Sequence, residues 1–237
     1  MAGPETPVVR VATFNAKHGA RPGRLPSTRA LVDTCRGLDA DVLGLQEVDL
    51  RTLRTGFADQ PAAIAAALGF RHHTAPAARV SFGRQCNALC ARGVIDDVEV
   101  VALPGEPGDE RRVLLLARVG LAAGAVSVAV THLATGTRAR TQLPVVLDRL
   151  ASRPPPRLLL ADLNLTAGDV EPALAAHGLT PAPSGPTFPA REPRRRIDWI
   201  AAGAGLAVGP ARVHRPLAGD HCPVVCDLAF ADRASPA

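Results

Sequence analysis

The run "RLLLADLNLTAGD" at residues 157–169 carries a carboxylate and a carboxamide, Asp162 and Asn164, straight out of an apolar stretch. Leu158, Leu159, Leu160 and Ala161 read as a strand covered on both faces, and a strand continued further points Asp162 and Asn164 the same way. Other polar groups fall in or at the ends of apolar runs: Asn15 after "VVRVATF", Glu47 in "DVLGLQEV", His132 in "AVSVAVTHL", Asp198 in "RIDWIAA" and the pair Asp220-His221 before "CPVV". Carboxylates at strand ends are costly unless paired or metal-bound, so the set points to a hard cation. Magnesium suits it, with manganese as the alternative, because it takes oxygen ligands and needs few protein carboxylates when a substrate phosphate completes its shell. His132 and His221 could donate hydrogen bonds to phosphoryl oxygens, and an acid beside an attacking water could act as general base. The chemistry is metal-assisted hydrolysis of a phosphate ester.

Such residues need a scaffold that gathers strand ends on one rim. Strands are expected at 8–15, 41–48, 86–92, 98–103, 112–119 and 125–133, through the apolar run 158–161, in "RIDWIAA", and near 206–213 and 223–229. Helices are expected at 27–38, 59–69, 138–151 and near 170–177, with Pro144 weakening the third and a loop rich in Pro and Arg over 181–196. This alternation fits an α/β (α+β) architecture of two packed mixed sheets with helices on their outer faces. At 237 residues and 47% hydrophobic content, one domain over 1–237 with a core of about 8–229 is the expectation.

The formal charge of +5 would suit an anionic partner. The bias has a bland source: Lys17 is the sole lysine, tyrosine is absent, and Ala, Arg, Gly and Pro abound, as a skewed coding genome would give. Five cysteines without CxxC spacing read as reduced, mostly buried thiols, hence a cytoplasmic chain; no secretion signal or membrane-length apolar run is seen. A monomer is expected.

In order along the chain stand "TFN", "LQEVD", "ERR", "THL", "ADLN", "RRRIDWI" and "GDHCPV". Together they closely resemble the signature blocks of the endonuclease/exonuclease/phosphatase superfamily, over about residues 8–229. The resemblance implies a four-layer sandwich that hydrolyses phosphate esters with a divalent metal, phosphodiesters above all. It implies Glu47 as metal ligand, Asn15 beside metal and phosphate, and Asp220 holding the metal or its waters. It makes Asp162 the residue that orients or deprotonates water, and Asn164 a phosphate contact. His132 and His221 would stabilise the pentacovalent species, oriented by Glu110 and Asp198, with Glu110 favouring the protonated form of His132. Asn87 in "CNALC" matches a further family position, and Arg111 in "ERR" is taken with it as substrate-binding. "ADLN" stands where the family usually has Gly-Asp-Phe-Asn, and "GDH" where it has Ser-Asp-His; both changes fall on scaffold or supporting positions.

Asn15, Asn87 and Asn164 are the chain's only asparagines, and all lie in these blocks. Arg194, Arg195 and Arg196 form a charge run immediately before Asp198, readable as solvated loop or as phosphate contacts. His72-His73 reads as solvated, and Gly203, Gly205 and Gly209 as turn glycines. The substrate could be a nucleic acid, a phospholipid or a small phosphodiester; scarce aromatic residues argue mildly against a processive single-strand nuclease. The alternative is a catalytically silent phosphate- or nucleic-acid-binding domain on the same fold, which the intact ligand and base set disfavours.

Overall fold

A computed structural model of the chain describes residues 7–231. Two six-stranded mixed sheets stack face to face. The first comprises β1 (Val8–Asn15), β2 (Val42–Leu50), β3 (Arg71–Val80), β4 (Gly83–Ala91), β11 (Leu206–Val213) and β12 (Val224–Phe230), in the order β11-β12-β1-β2-β4-β3. The second comprises β5 (Val94–Ala102), β6 (Val113–Leu121), β7 (Gly124–His132), β8 (Arg157–Asp162), β9 (Leu179–Pro181) and β10 (Asp198–Gly203), in the order β5-β6-β7-β8-β10-β9. Each sheet has one parallel pair near its middle, β1 with β2 and β7 with β8.

Strand alternation sorts the apolar side chains into three layers. Leu158 and Leu160 face the other sheet, joining Val11, Val42, Leu115 and Val130 in the central layer. Leu159 and Ala161 face outward beneath α3 (Thr137–Ala151) and α4 (Ala167–Ala176), meeting Leu147 and Leu174. On the first sheet Phe14, Leu43 and Leu45 face α1 (Thr28–Gly37) and α2 (Gln60–Leu68), meeting Leu31 and Ile64. The anticipated covering of residues 158–161 on both faces is therefore present. Ser27 and Asp59 cap α1 and α2 by accepting from the amides of Ala30 and Ala62.

Two strands were not expected from the sequence. β3 is the edge of the first sheet and contains Pro76, beside the point where its register with β4 slips between Pro76 and Ala78. An edge strand with a bulge tolerates a proline that a central strand would not, and its alanines give little β signal. β9 is a three-residue edge ending in Pro181. Conversely, Pro144 does not interrupt α3, which runs unbroken from Thr137 to Ala151. All five cysteines are buried and unpaired. Among the described residues, no helix is long and apolar enough to cross a membrane.

The sheets approach closely at Gly44 on β2, where a Cβ would lie 2.7 Å from Leu160 Cβ. That contact brings the two parallel pairs together. Gly44→Ala should therefore destabilise the fold by ~1–3 kcal/mol through overpacking, read as a lower midpoint in chemical denaturation. A midpoint equal to the parent's would show that the sheets can part there freely.

Candidate active site

The four parallel strands deliver their carboxyl ends to one rim, with Asn15 on β1, Glu47 on β2, His132 on β7 and Asp162 on β8. Register does the rest on the second sheet: Asp162 lies directly opposite His132 on one side and Asp198 on the other. By alternation, all three face the first sheet with Leu160, Val130 and Ile200.

Glu47 reaches the rim by a different device. Between Leu45 and Val48 the register of β2 with β4 slips, so that three steps of β2 span two of β4. Within this bulge Glu47 takes a left-handed backbone, φ 52°, which turns its carboxylate towards the site. Asn164 is also left-handed, φ 52°, and its amide N–H donates to Asp162 Oδ1 at 3.1 Å.

Asn15 is the hub. Its Nδ2 donates to Asp162 Oδ2 at 2.9 Å and to Glu47 Oε1 at 3.1 Å, joining carboxylates from both sheets. Its Oδ1 accepts from the backbone N–H of Lys17 at 3.1 Å, which fixes which end of the amide points at the acids. Asp162 and Asp198 are fully buried, and His132 and His221 nearly so. Burial, with the charge of Asp198 added, pushes the Asp162 carboxyl well above the usual carboxylate range.

The two imidazoles differ. His221 Nδ1 lies 2.9 Å from Asp198 Oδ2 and 3.2 Å from Oδ1, so its Nδ1–H donates to that carboxylate. Burial alone would lower its pKa; the charge and hydrogen bond of Asp198, with the charges of Asp162 and Asp220, outweigh it and raise it to about 9. His132 is held neutral: burial first, then the charges of Arg112 and His221, push its pKa well below the ordinary value. Arg112 Nη1 donates to His132 Nδ1 at 2.7 Å, so the ring proton sits on Nε2, 3.3 Å from Asp162 Oδ2.

The expected Glu110–His132 contact is replaced, and other expected site residues make contacts of their own. Glu110 does not reach His132; Arg112 stands between them, with Nη2 3.3 Å from Glu110 Oε2. The ring is consequently neutral, where a carboxylate partner would have favoured its protonated form. Asp220 is engaged by the Lys17 ammonium, so its charge is already compensated. Asn87 donates from Nδ2 to the Val113 carbonyl at 2.9 Å, tying β4 to β6 between the sheets. The arginine run divides: Arg194 pairs with exposed Glu192, and Arg196 stacks over Trp199 at 3.9 Å on the outer face. Arg195 stacks over Phe188 at 4.8 Å, and the Phe188 ring lies 4.6 Å from that of His221. Arg111 lines a cavity next to the site.

Lys17 and Arg112 were not singled out from the sequence. Pairing 113–121 with 124–132 as a hairpin sets Val113 across from His132, so the sequence brings Arg112 near that ring without indicating the contact. Lys17 offered only its uniqueness and its place two residues after Asn15.

Two groups could hold a cation. Asp162, Asp198 and His221 offer ligand atoms within 4.8 Å of one another. Their use would require displacing the Nδ1 proton that binds His221 to Asp198. Glu47 has no such conflict: among the described residues the only cationic type within 4 Å is His132, at 3.8 Å and neutral. A cavity of about 10 Å³ bounded by Glu47, Asn87 and His132 leaves room beside it for one small ion or water. The donor chemistry at Glu47 therefore fits a hard cation better.

A four-layer sandwich with acids, amides and imidazoles where its parallel strands end defines a phosphoesterase scaffold. The family model described as Endonuclease/Exonuclease/phosphatase family matches residues 12–221, and the chain belongs to that family. Among solved structures it is similar to an endonuclease/exonuclease/phosphatase from Beutenbergia cavernae, at 26% identity and TM-score 0.79, covering 94% of this chain and 72% of that one. The human Nocturnin catalytic domain, solved with a bound sulfate anion, shares the fold at 20% identity and TM-score 0.73, covering 95% of this chain and 94% of that one. So does a mannosyl-6-phosphatase from Bacteroides thetaiotaomicron, at 16% identity and TM-score 0.76, covering 94% of this chain and all of that one (100%). No curated protein matches the sequence.

The paired charges give a pH signature in metal-free protein. The stability contributed by the His221–Asp198 pair is fully present below the ordinary histidine value of 6.5 and is lost as pH rises through about 9. Asp198→Asn should bring the His221 midpoint, followed by NMR, below neutrality and remove that alkaline loss. A midpoint unchanged by the substitution would mean that Asp198 does not hold the proton on the ring.

Proposed function

We propose that the protein is a divalent-metal-dependent phosphoesterase that cleaves phosphodiesters. The observation that carries this reading is the Asn15 amide, which binds Glu47 and Asp162 at once and sets a candidate metal ligand beside a candidate base. In this reading Glu47 holds the cation, with Asn15 fixing the carboxylate; magnesium suits the oxygen donors best, and manganese is the second choice. When bound, the cation supplies positive charge that polarises the phosphoryl group and offsets the charge developing on it.

The protein's own groups do the rest. Asp162 takes a proton from the attacking water, a task for which its raised pKa suits it near neutrality. Asn164 donates one amide proton to the Leu133 carbonyl at 3.0 Å, and its Nδ2 lies 3.2 Å from His132 Nε2, so amide and ring together face the place of a phosphoryl oxygen that both could donate to. His132 donates from Nε2, in the tautomer that Arg112 enforces. His221 donates as an imidazolium, kept charged by Asp198. Arg195, alone of its run, stands where it can meet a substrate phosphate near His221.

Turnover of bis(para-nitrophenyl) phosphate should require added magnesium or manganese and vanish in excess chelator. Asp162→Asn should lose ~10²-fold or more in kcat while keeping its thermal melt, since the substitution also removes a buried charge facing Asp198. Parent-rate turnover by that variant, or full activity in chelator, would refute the mechanism.

A further inference from the structure

A cavity of about 370 Å³ opens beside the catalytic cleft, between the segment leading into β6 and the first turns of α3. Its size falls within the ~300–1,000 Å³ typical of small-molecule sites. Arg112 and Glu110 line both this cavity and the small one next to Glu47, so a group seated here would carry its phosphate towards the candidate site. The walls are tied together by Gln142, which donates to the Pro104 carbonyl at 2.7 Å and accepts from the Ala134 N–H at 2.9 Å. Such cross-bracing lets the cavity exist before any ligand arrives.

Its chemistry is mixed in sign. Three guanidiniums, Arg111, Arg112 and Arg138, face three carboxylates, Glu106, Asp109 and Glu110. Asp109 is paired with Arg138 and Glu110 with Arg112, whereas the side chains of Arg111 and Glu106 have no partner among the described residues. Arg112 Nε is buried with no hydrogen-bond partner. The start of α3 adds donors, because Gly136 at its N-cap provides no side-chain bond to the first-turn N–H groups. A second anion would gain from the arginines but meet all three carboxylates. A nucleobase would find no aromatic side chain, as none lines the cavity. A neutral group rich in hydroxyls satisfies both kinds of wall, since each hydroxyl donates to a carboxylate and accepts from a guanidinium or amide.

We propose that this cavity binds a hydroxyl-rich, sugar-type group carried by the phosphate ester. The proposal rests on the phosphoesterase reading for the position of the phosphate. Calorimetric titration, with calcium in place of magnesium, compares a glucose phosphate monoester, thymidine monophosphate and inorganic phosphate. Glucose phosphate should bind the parent protein about tenfold more tightly than inorganic phosphate, roughly the worth of one hydrogen bond to a charged group. That preference should collapse in the Glu106→Gln, Arg111→Gln double variant, whose surface changes leave the thermal melt in place. Equal affinity for glucose phosphate and inorganic phosphate, a preference for the nucleotide, or a preference that survives the double variant would overturn the assignment. Turnover of bis(para-nitrophenyl) phosphate by the parent protein separates the two claims. If no divalent ion supports it, the phosphoesterase reading fails; if it proceeds while the sugar preference is missing, only the cavity assignment fails.

Discussion

Four carboxylates crowd one rim of this protein, and their mutual repulsion is the constraint that the site is organised around. Glu47, Asp162, Asp198 and Asp220 come from different strands and loops, yet each has a distinct answer to its charge. Asp220 has the Lys17 ammonium and Asp198 has the His221 imidazolium. Asp162, directly across from Asp198, has its proton affinity raised and leans on the Asn15 amide. Glu47 shares that amide and, among the described residues, has no protein cation within 4 Å beyond a neutral histidine. In a low-dielectric rim such an imbalance is costly, and a bound divalent ion is the economical remedy. The same logic explains why the two histidines cannot be equivalent. One faces a carboxylate and holds its proton; the other faces a guanidinium and does not.

The fold achieves most of this crowding with strand ends, adding Asn164 and the Asp220-His221 pair from the loops after β8 and before β12. Stacked parallel pairs, one in each sheet, bring four strand ends together from residues far apart in sequence, and the close approach at Gly44 keeps them stacked. Apolar side chains fill the layers behind, so the polar groups stand on strands that cannot shift independently. Glu47 needs a local departure, a bulge with a left-handed backbone, and Asn164 just past β8 takes a left-handed backbone too. Strain of this kind persists where the surroundings overdetermine it, and here two flanking strands do so.

Much of this was legible in the sequence because the central strands carry strong signals. Leu158, Leu159 and Leu160 announce burial on both faces, and the polar residue that ends each apolar run lands at the rim by simple alternation. Edge strands were less legible: β3 hides behind Pro76 and a run of alanines, since an edge need satisfy only one neighbour. Pairings between side chains were the least legible. The block "ERR" offers both Glu110 and Arg112 to His132, and it is the Arg112 guanidinium that meets the ring, although the hairpin register sets Val113 opposite it. The arginine run before β10 was read as a unit, although alternation sends its neighbour Trp199 to the outer face and Arg196 with it. Order along the chain identifies which residues meet; which atoms touch depends on a register one residue fine.

The central claim is that the uncompensated charge at Glu47, rather than the Asp162–Asp198–His221 cluster, recruits the cation. Manganese binding followed by electron paramagnetic resonance tests this without recourse to catalysis. The parent chain should take up the ion, Glu47→Gln should lose that uptake by ~10-fold or more in affinity, and Asp198→Asn should retain it. Retained binding in Glu47→Gln together with loss in Asp198→Asn would place the ion in the other cluster and contradict the account.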